Sequence, residues 1–172
     1  MTQRQKFTLL NDYGSFQLRE YEPCVLAEVT INSEYDSASN RAFGTLFNYI
    51  AKGNNTSTKI AMTAPVIAAT SESLDSTKWH ISFVMPAGST RQDMPDPNNS
   101  SVVLREISQE KCLALSFRGR GSKELWQKKE EELRSLAKRE GIALSEEVRI
   151  CRFDPPFKPG FLHYNEVVIP LA

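Results

Sequence analysis

The residues best suited to bind a ligand lie near the end of the sequence, in the stretch 153–169. Phe157 and Phe161 stand in a run that contains three prolines, and His163 and Glu166 follow it. Proline fixes the backbone angle φ and lacks an N–H donor, so this run can be neither helix nor central strand. A stiff aromatic loop of this kind is suited to form one lip of a hydrophobic cleft. The imidazole and the carboxylate beside it could make polar or metal contacts.

Glu166 belongs to a β-rich stretch that begins at Tyr164. Successive side chains of a strand point to opposite faces of a sheet, so either Glu166 or its neighbour Asn165 points inward. An ionised carboxylate inside a cavity needs a cationic partner, because burial of an unpaired charge is costly. We therefore predict that Glu166 contributes to a ligand site, and an aromatic cation would suit it. The alternative is a solvated glutamate at a sheet edge.

Other common catalytic and metal-binding patterns are absent from the sequence. Its two histidines, His80 and His163, form no His-x-x-x-His pair, and its three cysteines form no Cys-x-x-Cys motif. The absence of these motifs excludes the usual zinc sites. The sequence also lacks a P-loop and the Gly-x-Ser-x-Gly motif of many hydrolases. We interpret His80 as an ordinary strand residue, and Met62 and Met85 as core residues.

A second group of candidate residues lies on the helix predicted for residues 34–52. At ~100° per residue, one arc of this helix is apolar and is expected to pack on a sheet. The arc comprises Ala38, Ala42, Leu46, Tyr49 and Ile50. Phe43 and Phe47 extend the apolar surface beyond this arc, and Asn40 and Gly44 continue it as a small, nearly uncharged strip. We expect the two rings to stack on a planar ligand that Gly44 allows to approach; the alternative is that they pack under the 157–161 loop.

The remaining elements must position these two groups, and their order indicates an α+β fold. Strands are predicted at 16–21, 25–31, 59–66, 79–85, 102–107, 111–117, 147–153 and 164–169. Helices are predicted at 34–52 and 122–140, the second ended by Gly141. Each half thus has the order strand-strand-helix-strand-strand, and we interpret residues 14–86 and 101–170 as degenerate pseudo-repeats. Two such halves predict a distorted β-barrel flanked by two helices.

Length and composition exclude several classes of function. The chain has 172 residues, a size typical of one domain, and its 21 basic residues balance its 21 acidic residues. Without a net positive charge, nucleic acid is not expected as a partner. No apolar run is long enough for a membrane span or a secretory signal. Cys24, Cys112 and Cys151 are interpreted as reduced thiols, which predicts a cytoplasmic protein.

The sequence resembles the SOUL haem-binding protein family over nearly its whole length. The matching stretches are FQLREYEP (16–23), YIAKGN (49–54), KIAMTAPV (59–66), FVMP (83–86), DPP (154–156) and NEV (165–167). The resemblance implies a distorted β-barrel of two β-α-β-β-like repeats with two helices. It also implies a tetrapyrrole ligand, as proposed for animal members, in a cleft formed by the first helix and neighbouring loops. Wider relatives of this fold include small-molecule sensor domains related to gyrase inhibitors.

Two positions depart from the pattern of this family. Animal members carry a basic helix residue thought to meet a haem propionate, where this sequence has Asn40, and Glu20 replaces a histidine proposed as iron ligand in some members. His163 is the candidate to bind iron or a propionate instead. The resemblance therefore implies a heme-binding surface that holds its ligand mainly by apolar contact. Its predicted members are Asn40, Phe43, Gly44, Phe47, Phe157, Phe161, His163 and Glu166, with His163 as the metal ligand.

Three functions are compatible with these residues. The first, which the resemblance favours, is a non-catalytic binder of haem or another planar hydrophobic small molecule. The second is a binding module for aromatic cations, of the gyrase-inhibitor-like type, in which Glu166 meets the positive charge. The third is a hydrolase in which Glu166 and a tyrosine activate water, although the sequence shows no complete catalytic constellation. No oligomeric state is predicted.

Overall fold

The computed structural model describes residues 2–155 and 157–172; Met1 and Pro156, the latter one of the three prolines of the aromatic run, lie outside the described residues. Two α-helices lie within these ranges, α1 (Tyr35–Ile50) and α2 (Lys123–Arg139). Both fall inside the ranges predicted from the sequence. Neither of them, among the described residues, combines the length and apolar character that crossing a membrane requires.

The strands fall into two groups, which a connector in the middle of the chain separates. Those of the first half are β1 (Gln3–Arg4), β2 (Phe7–Asp12), β3 (Gln17–Tyr21), β4 (Cys24–Ile31), β5 (Thr63–Ala64), β6 (Val66–Thr70) and β7 (Trp79–Val84). Those of the second half are β8 (Val103–Ile107), β9 (Glu110–Arg118), β10 (Val148–Arg152) and β11 (Tyr164–Pro170). Short 3-10 helices, Arg91–Asp93 and Gly160–Leu162, lie in connecting segments.

Nine strands form one antiparallel sheet that curls into a half-barrel. Their order across the sheet is β2-β3-β9-β11-β10-β6-β7-β4-β8. The strands β1 and β5 form a separate parallel pair. This arrangement, with its two helices, confirms the predicted α+β class. The predicted barrel takes the form of a half-barrel, because the edge strands β2 and β8 do not pair with each other in the described chain.

The helices cover only one face of the sheet. Residues i and i+2 of a strand share a face, and on this face they pack with α1 and α2 into the main core. The buried residues of α1 are the five of its predicted apolar arc, Ala38, Ala42, Leu46, Tyr49 and Ile50. The buried residues of α2 are Trp126, Leu133 and Ala137. The helical periodicity therefore predicted the packing face of α1 correctly.

The opposite face of the sheet, which we term the helix-free face, carries a smaller apolar cluster. The cluster comprises Tyr21, Leu26, Ile67, Val84, Cys112, Ala114, Cys151 and Val168. All of them belong to strands of the sheet, so no described helical residue is part of this cluster. Polar side chains on this face can therefore line a cavity.

Local sequence fixes where both helices end. The helix α2 begins after Ser122, whose Oγ accepts a hydrogen bond from the Leu125 N–H at 3.2 Å. It ends before Gly141, which has a φ of +71°, a left-handed conformation that glycine adopts without strain. Beyond α1, a Cβ at Gly53 would lie 2.5 Å from the Asn48 carbonyl oxygen, so only glycine fits there.

Two regions of the first half of the chain differ from the sequence-based predictions. The strand β2 was not predicted because it is exposed along its whole length, and it lacks the alternation that marks a half-buried strand. The strand predicted at 59–66 is confirmed only in part, since the two-residue strand β5 lies within it and the longer strand β6 begins at Val66. Pro65 has no N–H to donate to a strand ladder, which interrupts the pairing just before β6.

The two halves share the order of their main elements. The first half runs β3-β4-α1-β6-β7 and the second runs β8-β9-α2-β10-β11. The connector between them contains the 3-10 helix Arg91–Asp93. The interpretation of 14–86 and 101–170 as pseudo-repeats stays a prediction, because a common order of elements also arises without duplication.

Leu46 and Phe47 allow a direct test of how α1 packs. Leu46 is fully buried, whereas 51% of Phe47 is exposed. We expect Leu46→Ala to lower the free energy of unfolding by about 2–5 kcal/mol, because it leaves a cavity in the core. The matched control Phe47→Ala should change it by less than about 1 kcal/mol. Urea denaturation measures both, and a larger loss for Phe47→Ala would contradict this description of α1.

Candidate functional site

A groove lies on the helix side of the sheet, between α1 and the aromatic loop. The aromatic loop comprises residues 153–155 and 157–163. Its volume is about 370 Å³, within the range of small-molecule sites. Most of its described wall is apolar, and the larger contributors are Phe43, Phe47, Met62, Val66, Phe153 and Phe157. We term it the helix groove.

Phe43 and Phe47 form the part of the wall that α1 supplies. Their ring centroids are 6.1 Å apart, with planes inclined by 15°, and the two residues are 40% and 51% exposed. Phe43 also meets Phe83 of the core edge-on, with centroids 5.5 Å apart. Phe43 is therefore held by a core ring, and the two rings present nearly parallel aromatic surfaces at the groove.

Asn40 and Gly44 were predicted to flank these rings. Both are exposed, and neither lines the helix groove. A Cβ added at Gly44 would meet no atom within 4 Å. The fold itself does not require glycine at this position, so its role in admitting a ligand stays a prediction.

One carboxylate holds the aromatic loop in place. Asp154 Oδ2 accepts a hydrogen bond from the Tyr164 N–H at 2.6 Å, and Oδ1 accepts one from Lys158 Nζ at 3.0 Å. Desolvation opposes the charge of Asp154, but these hydrogen bonds outweigh it and lower the pKa of the carboxyl group. The anchored loop places Phe157, which is 89% exposed, at the helix groove.

Phe161 and His163 belong to the same loop but do not line the helix groove. Phe161 is 74% exposed, and His163 Nε2 lies 2.7 Å from the carbonyl oxygen of Lys158. A histidine whose Nε2 contacts a carbonyl oxygen has only Nδ1 left to bind a metal ion. The assignment of His163 as metal ligand stays a prediction, and with this hydrogen bond in place it would use Nδ1.

Arg152 brings a positive charge to the helix groove. Its guanidinium carbon lies 5.2 Å from the ring centroid of Tyr35 and 5.8 Å from that of Trp126. Nη2 donates to the Gly121 carbonyl oxygen at 3.4 Å, and the buried Nε has no hydrogen-bond partner among the described residues. An arginine in the wall of an apolar groove is suited to an acidic group on a ligand.

A second cavity, of about 240 Å³, opens on the helix-free face, and we term it the sheet cavity. Its walls include Phe7, Arg19, Tyr21, Phe153, Tyr164 and Glu166. Glu166 is therefore not in the helix groove with Phe43 and Phe47. Of the predicted site residues, Phe43, Phe47 and Phe157 line the helix groove and Glu166 lines the sheet cavity, whereas the other four line neither. The two cavities share Phe153 as a common wall.

An ion pair between Arg19 and Glu166 lines the sheet cavity. Arg19 Nη1 and Nη2 donate to Glu166 Oε1 and Oε2, each at 2.8 Å. The hydroxyl of Tyr164 donates to Oε2 at 2.6 Å. Arg19 and Glu166 are only 6% and 4% exposed. Both carboxylate oxygens are satisfied within the protein, so Glu166 needs no cationic ligand to remain ionised.

Arg19 is itself held on several sides. Nε donates to Gln17 Oε1 at 2.9 Å, Nη1 donates to the Tyr21 hydroxyl at 3.0 Å, and the guanidinium carbon lies 4.1 Å from the ring centroid of Phe7. Burial alone lowers the pKa of Arg19, but its hydrogen bond to Glu166 and the charge interactions with Tyr21 and Glu166 raise it above its ordinary value. Arg19 is therefore a permanent cation in this network.

Arg19 is the residue that sequence reasoning missed. The alternation of β3 places it on the same face as Gln17 and Tyr21, and this signal could have marked it as inward-facing. Its partner could not be inferred, because 147 residues separate Arg19 from Glu166 and β9 lies between their strands. Only the order of strands in the sheet brings them together.

The cysteines and histidines offer no further chemistry in the described chain. All three cysteines are free. Burial raises the pKa of Cys112 to about 12 and also raises that of Cys151, so these thiols are inert near neutral pH. No group of three or more His, Cys, Asp or Glu residues within the described ranges could hold a metal ion.

We predict that removing one partner of the buried Arg19–Glu166 ion pair destabilises the fold more than replacing both partners. We expect Arg19→Gln to lower the free energy of unfolding by about 3–5 kcal/mol, because it leaves Glu166 buried without a charge partner. The double variant Arg19→Gln/Glu166→Gln should recover a large part of this loss, since no unpaired charge remains. Denaturation in urea measures both variants, and equal losses would exclude charge pairing as the cause.

Asp154 should make the anchoring of the aromatic loop sensitive to pH. Its pKa is lowered in the folded protein, so its contribution is complete above the unfolded-state value of about 3.9. The contribution is lost as the pH falls through the folded value. At neutral pH we expect Asp154→Ala to accelerate hydrogen exchange of the Tyr164 amide by on the order of tenfold. Lys158→Met, the control, should have a smaller effect; an unchanged rate in Asp154→Ala would contradict the anchoring role.

Solved structures with the same fold occur among proteins of low sequence identity. The crystal structure of the EcmrR C-terminal domain has a TM-score of 0.73 at 12% identity, covering 91% of this chain and 96% of that chain. A hydrolase from Listeria innocua has a TM-score of 0.61 at 12% identity, covering 95% and 94%. The structure of SAV2435 bound to tetraphenylphosphonium has a TM-score of 0.54 at 14% identity, covering 91% and 93%. At such identities the similarity concerns the fold alone.

Comparison at the level of sequence gives the family. No curated protein matches the chain. The family model described as SOUL heme-binding protein, in contrast, matches residues 2–170, which is nearly the whole length. The chain therefore belongs to the SOUL heme-binding protein family.

Proposed function

We propose that this protein is a non-catalytic binder of haem or a related planar tetrapyrrole, which it holds in the helix groove. Membership of the SOUL heme-binding family supports this class of ligand. The observation that carries the proposal is the stacked and exposed pair Phe43 and Phe47, with Phe157 on the same groove. Three exposed phenylalanines around one groove are unusual on a protein surface unless they contact a partner or a ligand.

The lining of the helix groove suits a porphyrin in two respects. Phe43 and Phe47 offer aromatic surface to a flat ring, and the neighbouring aliphatic residues extend this surface. Arg152 is a basic residue of the groove wall suited to an acidic substituent, whereas the position at which animal members carry a basic residue is Asn40 here. Bound haem would supply an iron centre, and the protein would bind it and exclude water from one side.

Iron ligation remains assigned to His163, as predicted from the sequence. Its Nε2 contacts the Lys158 carbonyl oxygen, so Nδ1 is the ring nitrogen left for iron. Among the described residues that line the helix groove, Met62 alone carries a thioether, and none carries an imidazole. Since His163 does not line the groove, apolar contact is expected to supply most of the affinity.

The two alternative functions depend on Glu166 and are less well supported. A site for aromatic cations needs its negative charge, and a hydrolase needs it to accept a proton from water. Arg19 donates to both carboxylate oxygens, and Tyr164 donates to one of them, so neither oxygen is left for these roles. The tetraphenylphosphonium in the structure of SAV2435 is a property of that protein.

Titration with hemin tests the tetrapyrrole proposal. We expect the wild type at micromolar concentration to shift the Soret band, because the bound ring leaves water for an apolar site. The double variant Phe43→Ala/Phe47→Ala should bind at least about tenfold more weakly, since two aromatic contacts are lost. Leu9→Ala is the control, because Leu9 is 46% exposed but lies in neither cavity. A hemin spectrum unchanged by the wild type would overturn the proposal.

Two further variants test the assignment of the iron ligand. We expect His163→Ala to change the position of the Soret band of the bound complex and Met62→Leu to leave it in place. The opposite result would assign ligation to Met62. These spectra report on the axial ligand of the bound complex, whereas the Phe43→Ala/Phe47→Ala titration measures affinity.

A further inference from the structure

We infer that the sheet cavity is a second ligand site, and that it selects small aromatic carboxylates over aromatic cations. This inference concerns the helix-free face and does not depend on the tetrapyrrole proposal for the helix groove. Three features carry it: a carboxylate that is neutralised internally, an arginine without an acidic partner, and aromatic walls.

The negative charge of the sheet cavity is not available to a ligand. Glu166 is the one acidic residue among the described residues of its wall, and Arg19 contacts both of its oxygens at 2.8 Å. A cation that displaced Arg19 would leave the guanidinium buried without a charge partner, which is strongly unfavourable. Arg19 therefore occupies the position that a cationic ligand would need.

The positive charge of the sheet cavity is only partly neutralised. Besides Arg19, its wall contains Arg4 and Arg149. Arg149 is paired, since Nη2 donates to Glu110 Oε2 at 3.1 Å and Nε donates to Glu147 Oε2 at 2.7 Å. Arg4 is exposed and forms no ion pair within the described part of the chain. Its charge thus remains available to an anion that enters the cavity.

The backbone around Arg4 holds this charge at the sheet cavity. Arg4 pairs with Ala64 in the parallel ladder of β1 and β5, and the next amide, that of Gln5, donates to the Ala64 carbonyl oxygen at 2.8 Å. The guanidinium carbon lies 4.9 Å from the ring centroid of Phe153 and 5.1 Å from that of Tyr164. An arginine that stacks on two rings is preorganised to receive a carboxylate beside them.

The remaining walls favour a small aromatic group. Phe7 and Tyr21 meet with centroids 5.5 Å apart, and Phe153 and Tyr164 meet with centroids 5.1 Å apart, so two aromatic pairs contribute to the cavity. Its volume of about 240 Å³ is below the range of about 300–1,000 Å³ of drug-sized sites. The cavity therefore suits one ring or two fused rings that carry a single carboxylate.

Three probes of equal ring size test this selectivity by calorimetry: 2-naphthoate, the neutral 2-naphthamide, and the cation naphthalen-2-ylmethylammonium. We expect the wild type to bind 2-naphthoate about tenfold or more tightly than either of the others. Arg4→Gln should weaken 2-naphthoate binding by about tenfold, the effect of one charge-assisted contact, and leave 2-naphthamide unchanged. Lys6→Gln is the matched control, since Lys6 is an exposed cation of the same segment that does not line the cavity.

Removal of Arg19 should reverse the selectivity. Arg19→Gln exposes the charge of Glu166 to the cavity, so this variant is expected to bind naphthalen-2-ylmethylammonium more tightly than 2-naphthoate. The double variant Arg19→Gln/Glu166→Gln should lose this preference for the cation. If Arg19→Gln does not fold, the comparison of Arg4→Gln with Lys6→Gln still decides the proposal, because both positions are exposed.

Several outcomes would overturn the inference. They are no binding of 2-naphthoate to the wild type, tighter binding of the cation than of the anion, and equal losses in Arg4→Gln and Lys6→Gln. Loss of 2-naphthoate binding in Phe47→Ala but not in Arg4→Gln would place the anion in the helix groove instead. Because hemin titration reports on Phe43 and Phe47 and this experiment reports on Arg4, failure of one proposal is distinguishable from failure of the other.

Discussion

A sheet has two faces, and in this protein helices cover only one of them. Strand residues alternate between the faces, so the interior strands send side chains both into the main core and to the helix-free face. The helix-free face has no helix to pack against and instead combines an apolar cluster with paired charges. The two candidate sites follow from this division. The helix groove lies beside α1 on the covered face, and the sheet cavity lies on the helix-free face.

On the covered face, the decisive feature is that the apolar surface of α1 is wider than the surface the sheet can bury. Five residues of the helix enter the core, while Phe43 and Phe47 remain outside it beside the aromatic loop. Full burial of a phenylalanine is worth about 1.5–3 kcal/mol, and Phe43 and Phe47 are still 40% and 51% exposed, so part of this contribution is unused in the free protein. A planar ligand that covers them would gain that contribution as binding free energy. The loop that faces them is fixed by Asp154, so this side of the groove is formed before a ligand arrives.

On the helix-free face, the Arg19–Glu166 pair decides which ligands are compatible with the cavity. A buried carboxylate would attract cations if it were unpaired, yet the fork of Arg19 satisfies it within the chain. The fold is shared with proteins such as SAV2435, whose structure contains an aromatic cation. In this chain Arg19, on β3, supplies the partner of the carboxylate. Fold similarity therefore does not transfer ligand chemistry, which depends on the residues that line each cavity.

The sequence by itself determined the α+β class, both helices, the buried arc of α1 and the membership in the SOUL family, because these depend on local periodicity, turn residues and motifs in fixed order. It placed Phe43, Phe47 and Phe157 among the candidate residues for the same reason. Periodicity does not state the order of strands, so it could not reveal that Glu166 meets Arg19 across β9, nor that Glu166 and Phe43 belong to different cavities. Those relations join residues far apart in the chain, and only the tertiary structure, which brings β3 and β11 to the two sides of β9, decides them.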